Sequence, residues 1–145
     1  MLKETNFIIN AIKKLEQERN KITLRIVENI THDELIEEYK KCDIFVAQIG
    51  LGWYGTVALE SMATVRPTCA YLDKDNFQYI NYADETPVIN ITRENVTDEL
   101  RTLIDKREQL PEIGRKSREF VEKYHDVRNV TKKLIDIYQN KVCKQ

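Results

Sequence analysis

Short, nearly all-apolar segments alternate with longer amphipathic segments along the chain, and this alternation constrains the fold most strongly. The short segments are typical of strands and cover residues 21–27 (KITLRIV), DIFVA from Asp43, RPTCAYL from Arg66 and VINI from Val88. The longer segments predict helices over residues 5–19, 31–39, 56–64, 97–105, 110–124 and 127–138. Helices alternating with such strands predict an α/β fold, a doubly wound parallel sheet with helices on both faces.

Composition predicts one soluble globular domain spanning residues 1–145. The chain is 41% hydrophobic and 32% charged, and 145 residues are enough to bury a core. A formal net charge of -1 provides no general attraction to nucleic acid or to an anionic membrane. The sequence contains no apolar run of the length that spans a membrane, so no membrane span is predicted.

The cysteines and histidines suggest neither a disulfide framework nor a metal site. Cys42, Cys69 and Cys143 are odd in number and far apart, which favours a reducing cytoplasm. His32 and His125 have no sequence partner at metal-ligand spacing, so we expect structural roles at a helix start and a helix end.

The beginning of the chain is unusual for a doubly wound domain. Such a domain usually begins with a central strand whose carboxyl end leads into the first ligand-binding loop. Here a helix begins almost at once. The first strand therefore lies elsewhere in the fold, or the chain has been cut from a longer protein just after it.

Three of the four glycines, Gly50, Gly52 and Gly55, fall within six positions between DIFVA and the predicted helix 56–64. Glycine allows a sharp turn and brings bare amides close to a ligand. The first turn of the following helix adds unpaired N–H groups with a partial positive charge, which suits a phosphate or a cluster of hydroxyls. A tight turn without a ligand explains the glycines equally well.

Four polar or aromatic side chains around this turn have two interpretations each. Glu60 lies in the second helical turn among apolar residues, so its carboxylate needs either a structural partner or the vicinal hydroxyls of a ligand. Gln48 either hydrogen-bonds a sugar or braces the loop. Trp53 and Tyr54 are either core residues or platforms for a ligand.

The segment GWYGTVALESMATVRPTCAYL resembles the donor-binding segment of retaining glycosyltransferases of GT-B fold. The usual form there is Glu-Gly-Phe-Gly, four residues, Glu-Ala-Met-Ala and then Gly-x-Pro-Val, and the matching positions here are Gly55, Glu60, Met62, Ala63 and Pro67. The Gly-Trp-Tyr-Gly variant is similar to a bacterial and archaeal subgroup that makes capsular and surface polysaccharides. THDELIEEYKKCDI, EIGRKSREFVEKYHD and KKLIDIYQ extend the resemblance over nearly the whole chain.

The resemblance implies the C-terminal, nucleotide-sugar-binding half of a two-domain enzyme, with an N-terminal acceptor domain as its partner. The substrate would be a nucleoside-diphosphate sugar, with no cofactor and no metal. No catalytic residue is assigned within this half, so the isolated chain is expected to be inactive.

The resemblance also implies donor-binding roles for individual residues. Lys3 and the amides of Gly55 and Thr56 would contact the diphosphate, and Glu60 would hold the ribose hydroxyls. The backbone of Gly52, Trp53 and Tyr54 would face the sugar or the phosphates, with Gln48 near the sugar. This chain departs from the family pattern at Gly52, where the first glutamate usually stands, and at Val65, where the usual residue is glycine. The alternative prediction is a non-catalytic scaffold or protein-binding module.

Overall fold

The computed structural model describes residues 3–18 and 22–142. The described helices and strands, in chain order, are α1 (Lys3–Glu18), α2 (His32–Lys41), β1 (Phe45–Val46), α3 (Thr56–Ala63), β2 (Thr68–Ala70), β3 (Ile89–Asn90), α4 (Val96–Asp105), α5 (Leu110–Tyr124) and α6 (Val127–Val142). Short 3-10 helices cover Lys74–Tyr79, Ala83–Glu85 and Arg107–Gln109. None of the helices in these ranges is long and apolar enough to cross a membrane.

The predicted fold class, a doubly wound parallel sheet with helices on both faces, is wrong. The described residues are mainly helical and form one small sheet, whose three parallel strands run in the order β1, β2, β3. Phe45 pairs with Thr68, and Cys69 pairs with Val46 on one side and Ile89 on the other. A doubly wound sheet needs a point where the strand order reverses, and successive strands here are added in one direction.

The predicted strand at residues 21–27 is the clearest reason for this error. Residue 21 lies outside the described part, and residues 22–28 have no regular secondary structure. Ile26 is 51% exposed, and the backbone N–H of Leu24 donates to Glu16 Oε1 at 3.0 Å instead of to a neighbouring strand. A β-branched sequence fits a pleated surface, but it becomes a strand only where a partner completes the hydrogen-bond ladder.

The helix predictions agree closely with the structure. Helix α5 has the predicted bounds, and the predicted helix 56–64 corresponds to α3. A capping box opens α2 at Thr31: the N–H of Glu34 donates to Thr31 Oγ1 at 3.3 Å, and the N–H of Thr31 donates to Glu34 Oε2 at 2.8 Å. These two bonds satisfy orphan donors at the start of α2 and fix where the helix begins.

Two hydrophobic clusters lie on opposite sides of β2. Cys69 belongs to the cluster that contains Leu15 of α1 and Leu100 of α4, whereas Ala70 belongs to the cluster that contains Met62 of α3 and Phe120 of α5. Successive side chains of a strand point to opposite faces, so both faces of β2 are covered. This packing fixes the carboxyl end of the sheet, from which residues 47–55 lead into α3.

Helix α3 ends in a left-handed turn at Val65, whose φ is 65°. The N–H of Val65 donates to the carbonyl of Met62 at 3.0 Å, and the turn brings the Val65 carbonyl against Gly114 of α5, where an added Cβ would overlap it. A β-branched residue is strained at positive φ, and glycine is not. The turn thus forms with a strained valine at the position where the resembling family has glycine.

Replacing Val65 with glycine should relieve this strain. We expect Val65→Gly to raise the free energy of unfolding by about 1 kcal/mol, because left-handed backbone costs an L-residue roughly that much. Urea denaturation measures the change. The matched control is Val57→Gly in α3, since Val57 is 47% exposed and Val65 is 46% exposed. The control should lower the free energy of unfolding because glycine is a poor helix residue, and a decrease for both variants would contradict the argument.

Candidate functional site

The loop from β1 to α3 is braced from within by Gln48. Its side-chain amide donates to the carbonyl of Trp53 at 2.6 Å, and its Oε1 accepts from the N–H groups of Gly50 and Leu51 at 2.8 and 2.7 Å. Of the two roles left open by the sequence, this geometry corresponds to the brace. Because the Gly50 and Leu51 amides are engaged by Gln48, the amides available to a ligand lie further along the loop.

Gly52 occupies a position that requires glycine. Its φ is 74°, and a Cβ there would lie 3.0 Å from both Asp73 Cβ and Asn76 Nδ2. Its carbonyl accepts from the N–H of Asp73 at 2.9 Å and from Asn76 Nδ2 at 3.0 Å. The loop is therefore tied to the segment after β2, and a glutamate here, as in the resembling family, would be strained at this φ and crowded against Asp73 and Asn76.

Trp53 and Tyr54 pack into the protein, as their core interpretation requires. The Trp53 ring lies edge-on to Phe77 with 5.7 Å between centroids. Tyr54 is 5% exposed, and its hydroxyl lies 3.1 Å from Nε2 of His125. Burial, with a smaller effect of the Lys133 charge, lowers the pKa of His125, so the neutral imidazole partners the phenol.

The first turn of α3 presents free backbone donors. Gly55 is the N-cap with an extended backbone, and no side chain caps the helix. Within the described residues, the N–H groups of Gly55, Thr56 and Val57 have no hydrogen-bond acceptor. Gly55 and Thr56 are exposed, and no atom lies within 4 Å of a Cβ built on Gly55. Unpaired amides at an open helix N-terminus attract an anion.

Glu60 lies one helical turn further along α3 and contacts two side chains of α2. Its Oε1 is 3.2 Å from Nε2 of His32, and its Oε2 accepts from the Tyr39 hydroxyl at 3.4 Å. Tyr39 is 1% exposed, and burial together with the Glu60 charge raises the pKa of its phenol, which therefore stays protonated as a donor. The His32 side chain is 66% exposed, and that of Glu60 is 26% exposed.

The contacts that α2 makes with Glu60 are not predicted from the sequence. The sequence predicts only a helix start for His32 and no role for Tyr39. The two residues are seven positions apart, which places them on one face of α2. This spacing is the sequence signal that they could act together. Their partner could not be read from the sequence, because the contact depends on how α2 packs against α3.

The predicted donor-binding residues are only partly brought together. The amides of Gly55 and Thr56 and the carboxylate of Glu60 lie on the first turns of α3, whereas the side chains of Gln48, Trp53 and Tyr54 are engaged inside the protein. Lys3 is the first residue of α1, and its side chain lies outside the described part. Across the described ranges, no group of three or more His, Cys, Asp or Glu residues is placed to hold a metal ion.

No protein family, curated protein or solved structure matches the chain significantly. The chemistry available at the site is therefore that of its own residues: free amides at a helix N-terminus, a carboxylate one turn away, and a loop held rigid by internal hydrogen bonds.

Gly52→Ala tests whether the loop depends on its left-handed turn. We expect the free energy of unfolding to fall by about 1 to 3 kcal/mol, because alanine combines backbone strain with crowding against Asp73 and Asn76. Thermal or urea denaturation measures the loss. Gly55→Ala is the control, since its φ is -99° and its surroundings are open, and it should cost clearly less. Equal losses would show that the Gly52 contacts do not hold the loop.

Proposed function

We propose that this chain is the nucleotide-sugar donor-binding domain of a retaining glycosyltransferase. The full enzyme would transfer a sugar from a nucleoside diphosphate to an acceptor hydroxyl during cytoplasmic synthesis of a polysaccharide or glycoconjugate. The observation that carries the proposal is that the free amides of Gly55 and Thr56 and the carboxylate of Glu60 lie on the same short helix. The motif GWYGTVALESMA, described above, is the sequence support for it.

The amides at the start of α3 suit the diphosphate. They are exposed, they lack acceptors within the described residues, and the helix dipole adds a partial positive charge at the same place. During transfer, negative charge grows on the leaving phosphate. Donors already fixed by the braced loop stabilise that charge without reorganising, which favours the transition state over the ground state.

Glu60 suits the ribose. It lies four positions after Thr56, which places its Cα roughly 6 Å further along the helix axis. A carboxylate accepts two hydrogen bonds from vicinal hydroxyls, and such charge-assisted bonds are stronger than neutral ones. The existing contact with His32 is 3.2 Å long and largely exposed to solvent, so a ribose hydroxyl can replace the imidazole while Tyr39 continues to hold Oε2.

The acceptor site and the chemistry of transfer would require the second domain that the resemblance implies. The resemblance assigns Lys3, the first residue of α1, to the donor diphosphate. No cofactor or metal ion has a part in this proposal, because the charge on the leaving group would be met by amides and lysine. The isolated chain would bind the donor nucleotide without transferring sugar.

A non-catalytic scaffold is the second candidate, and one observation favours it. Both carboxylate oxygens of Glu60 already have partners in His32 and Tyr39, as a purely structural glutamate would. On this alternative, the α2–α3 contact would serve stability alone, and no nucleotide would bind.

Calorimetric titration with UDP, GDP and ADP separates the two candidates. We expect weak binding of one of these nucleotides, and Glu60→Gln should weaken it about tenfold or more, equivalent to roughly 1.4 kcal/mol, because the neutral amide loses the charge-assisted bonds to the ribose. Inorganic diphosphate, which has no ribose, should bind both proteins equally.

The control for this experiment is Glu119→Gln on α5, where the carboxylate is exposed and paired with Arg115. It should leave nucleotide binding unchanged. If the folded chain binds none of the three nucleotides, or if Glu60→Gln changes stability but not affinity, the scaffold candidate is favoured.

A further inference from the structure

A charge pair lies beside the loop from β1 to α3, residues 47–55, called here the glycine loop. The pair joins α1 to the segment that follows β3. Glu4 is in the first turn of α1, and Arg93 comes three residues after the end of β3. Nη2 of Arg93 donates to Oε1 of Glu4 at 3.4 Å. The two residues are 89 positions apart, so the fold, and not local sequence, brings them together.

The Glu4 carboxyl group also lies directly against Gly50. A Cβ built on Gly50 would overlap all three atoms of that carboxyl group. Glu4 therefore places a negative group between the backbone of the glycine loop and the Arg93 guanidinium. Only glycine at position 50 allows this approach, because any side chain would occupy the same space.

The pair lies at the same edge of the sheet as the free amides of α3. Strands β1 and β3 both run parallel to β2, so their carboxyl ends meet at one edge. The glycine loop leaves β1 at this edge, and Arg93 follows β3 there. The contact of Glu4 with Gly50 brings the first turn of α1 to the same place.

The pair is weak for a charged contact. A charge-assisted bond to a carboxylate is usually 2.7 to 2.9 Å long, and here the distance is 3.4 Å. The side chains are 51% and 34% exposed, and exposed pairs of this kind contribute little to stability. The Arg93 guanidinium has no other hydrogen-bond acceptor within the described residues, so most of its donors are free for a second anion.

The guanidinium is nevertheless held in position. Its Cζ lies 5.3 Å from the centroid of the Phe7 ring on α1, within the range of a cation–π contact. An arginine fixed over an aromatic ring can present two parallel N–H donors to a phosphate, which accepts them better than a carboxylate held at one oxygen.

We propose that Arg93 binds a phosphate group of the donor nucleotide and that Glu4 is an internal competitor, which occupies the place of that phosphate until the ligand displaces it. The proposal rests on the proposed function, since it names a second phosphate contact at the same edge. It also predicts that inorganic diphosphate alone competes with Glu4 for Arg93.

Calorimetric titration of the full chain with inorganic diphosphate tests this inference. Glu4→Gln should bind several-fold more tightly than the wild-type chain, because the amide keeps the shape of the side chain but removes the competing charge. Arg93→Gln should bind about tenfold more weakly, and Arg93→Lys should recover part of the affinity because it restores the charge without the fork of donors.

The matched controls are Glu18→Gln, at the other end of α1, and Arg101→Gln, on α4. That glutamate and arginine also join α1 to a distant segment, at 3.1 Å, and should affect stability without affecting diphosphate binding. Circular dichroism confirms that each variant is folded. The inference is overturned if Glu4→Gln binds no more tightly than Glu18→Gln, if Arg93→Gln binds as tightly as Arg101→Gln, or if no variant binds diphosphate.

Repeating the titrations with UDP, GDP and ADP separates this inference from the proposed function. Nucleotide binding that responds to Glu60→Gln but not to the Glu4 and Arg93 variants would overturn the inference and leave the function standing. Diphosphate binding that responds to Glu4 and Arg93, without binding of any nucleotide, would support the anion site and contradict the donor-binding function.

Discussion

The complete burial of β2 is the constraint on which the other parts of the structure depend. Thr68, Cys69 and Ala70 are all 0% exposed, and the alternation of their side chains divides the core into two clusters. One cluster is built on α1 and α4, and the other on α3 and α5. Because β2 also pairs with both other strands, the loops after β1 and β3 are carried to one edge together.

At that edge, rigidity comes from polar contacts made inside the protein. Gln48 holds the loop from within, and the Gly52 carbonyl is bonded to Asp73 and Asn76. Of the side chains that the sequence predicts for a ligand, Gln48 braces the loop, and Trp53 and Tyr54 pack into the core. Within the described residues of this edge, the groups left for a ligand are the backbone amides in the first turn of α3, the half-buried carboxylate of Glu60 and the exposed guanidinium of Arg93. Free amides and a guanidinium attract an anion, and a carboxylate beside them accepts hydrogen bonds from donors such as hydroxyls.

Local signals in the sequence were sufficient for the helices, because periodicity and the capping box at Thr31 act within a few residues. They failed for the predicted strand 21–27, because its described residues 22–27 have no strand partner. The doubly wound sheet was wrong as well, since strand order is a property of the whole fold. The partners of Glu60 and the contact of Glu4 with Arg93 could not be predicted either, because both join segments far apart in the chain. The requirement for glycine at position 52 becomes visible only once Asp73 and Asn76 are placed beside it.

The most direct test of the central claim is to map amide chemical shifts of the 15N-labelled chain during titration with the nucleoside diphosphate that binds best. If the first turn of α3 receives the diphosphate, the largest shifts will be those of Gly55, Thr56 and Val57, with smaller ones near Glu60 and Arg93. The amides of Gly50 and Leu51, already bonded to Gln48, will move less. Saturating nucleotide that leaves the three α3 amides unshifted, or shifts confined to another surface such as α6, would contradict the account.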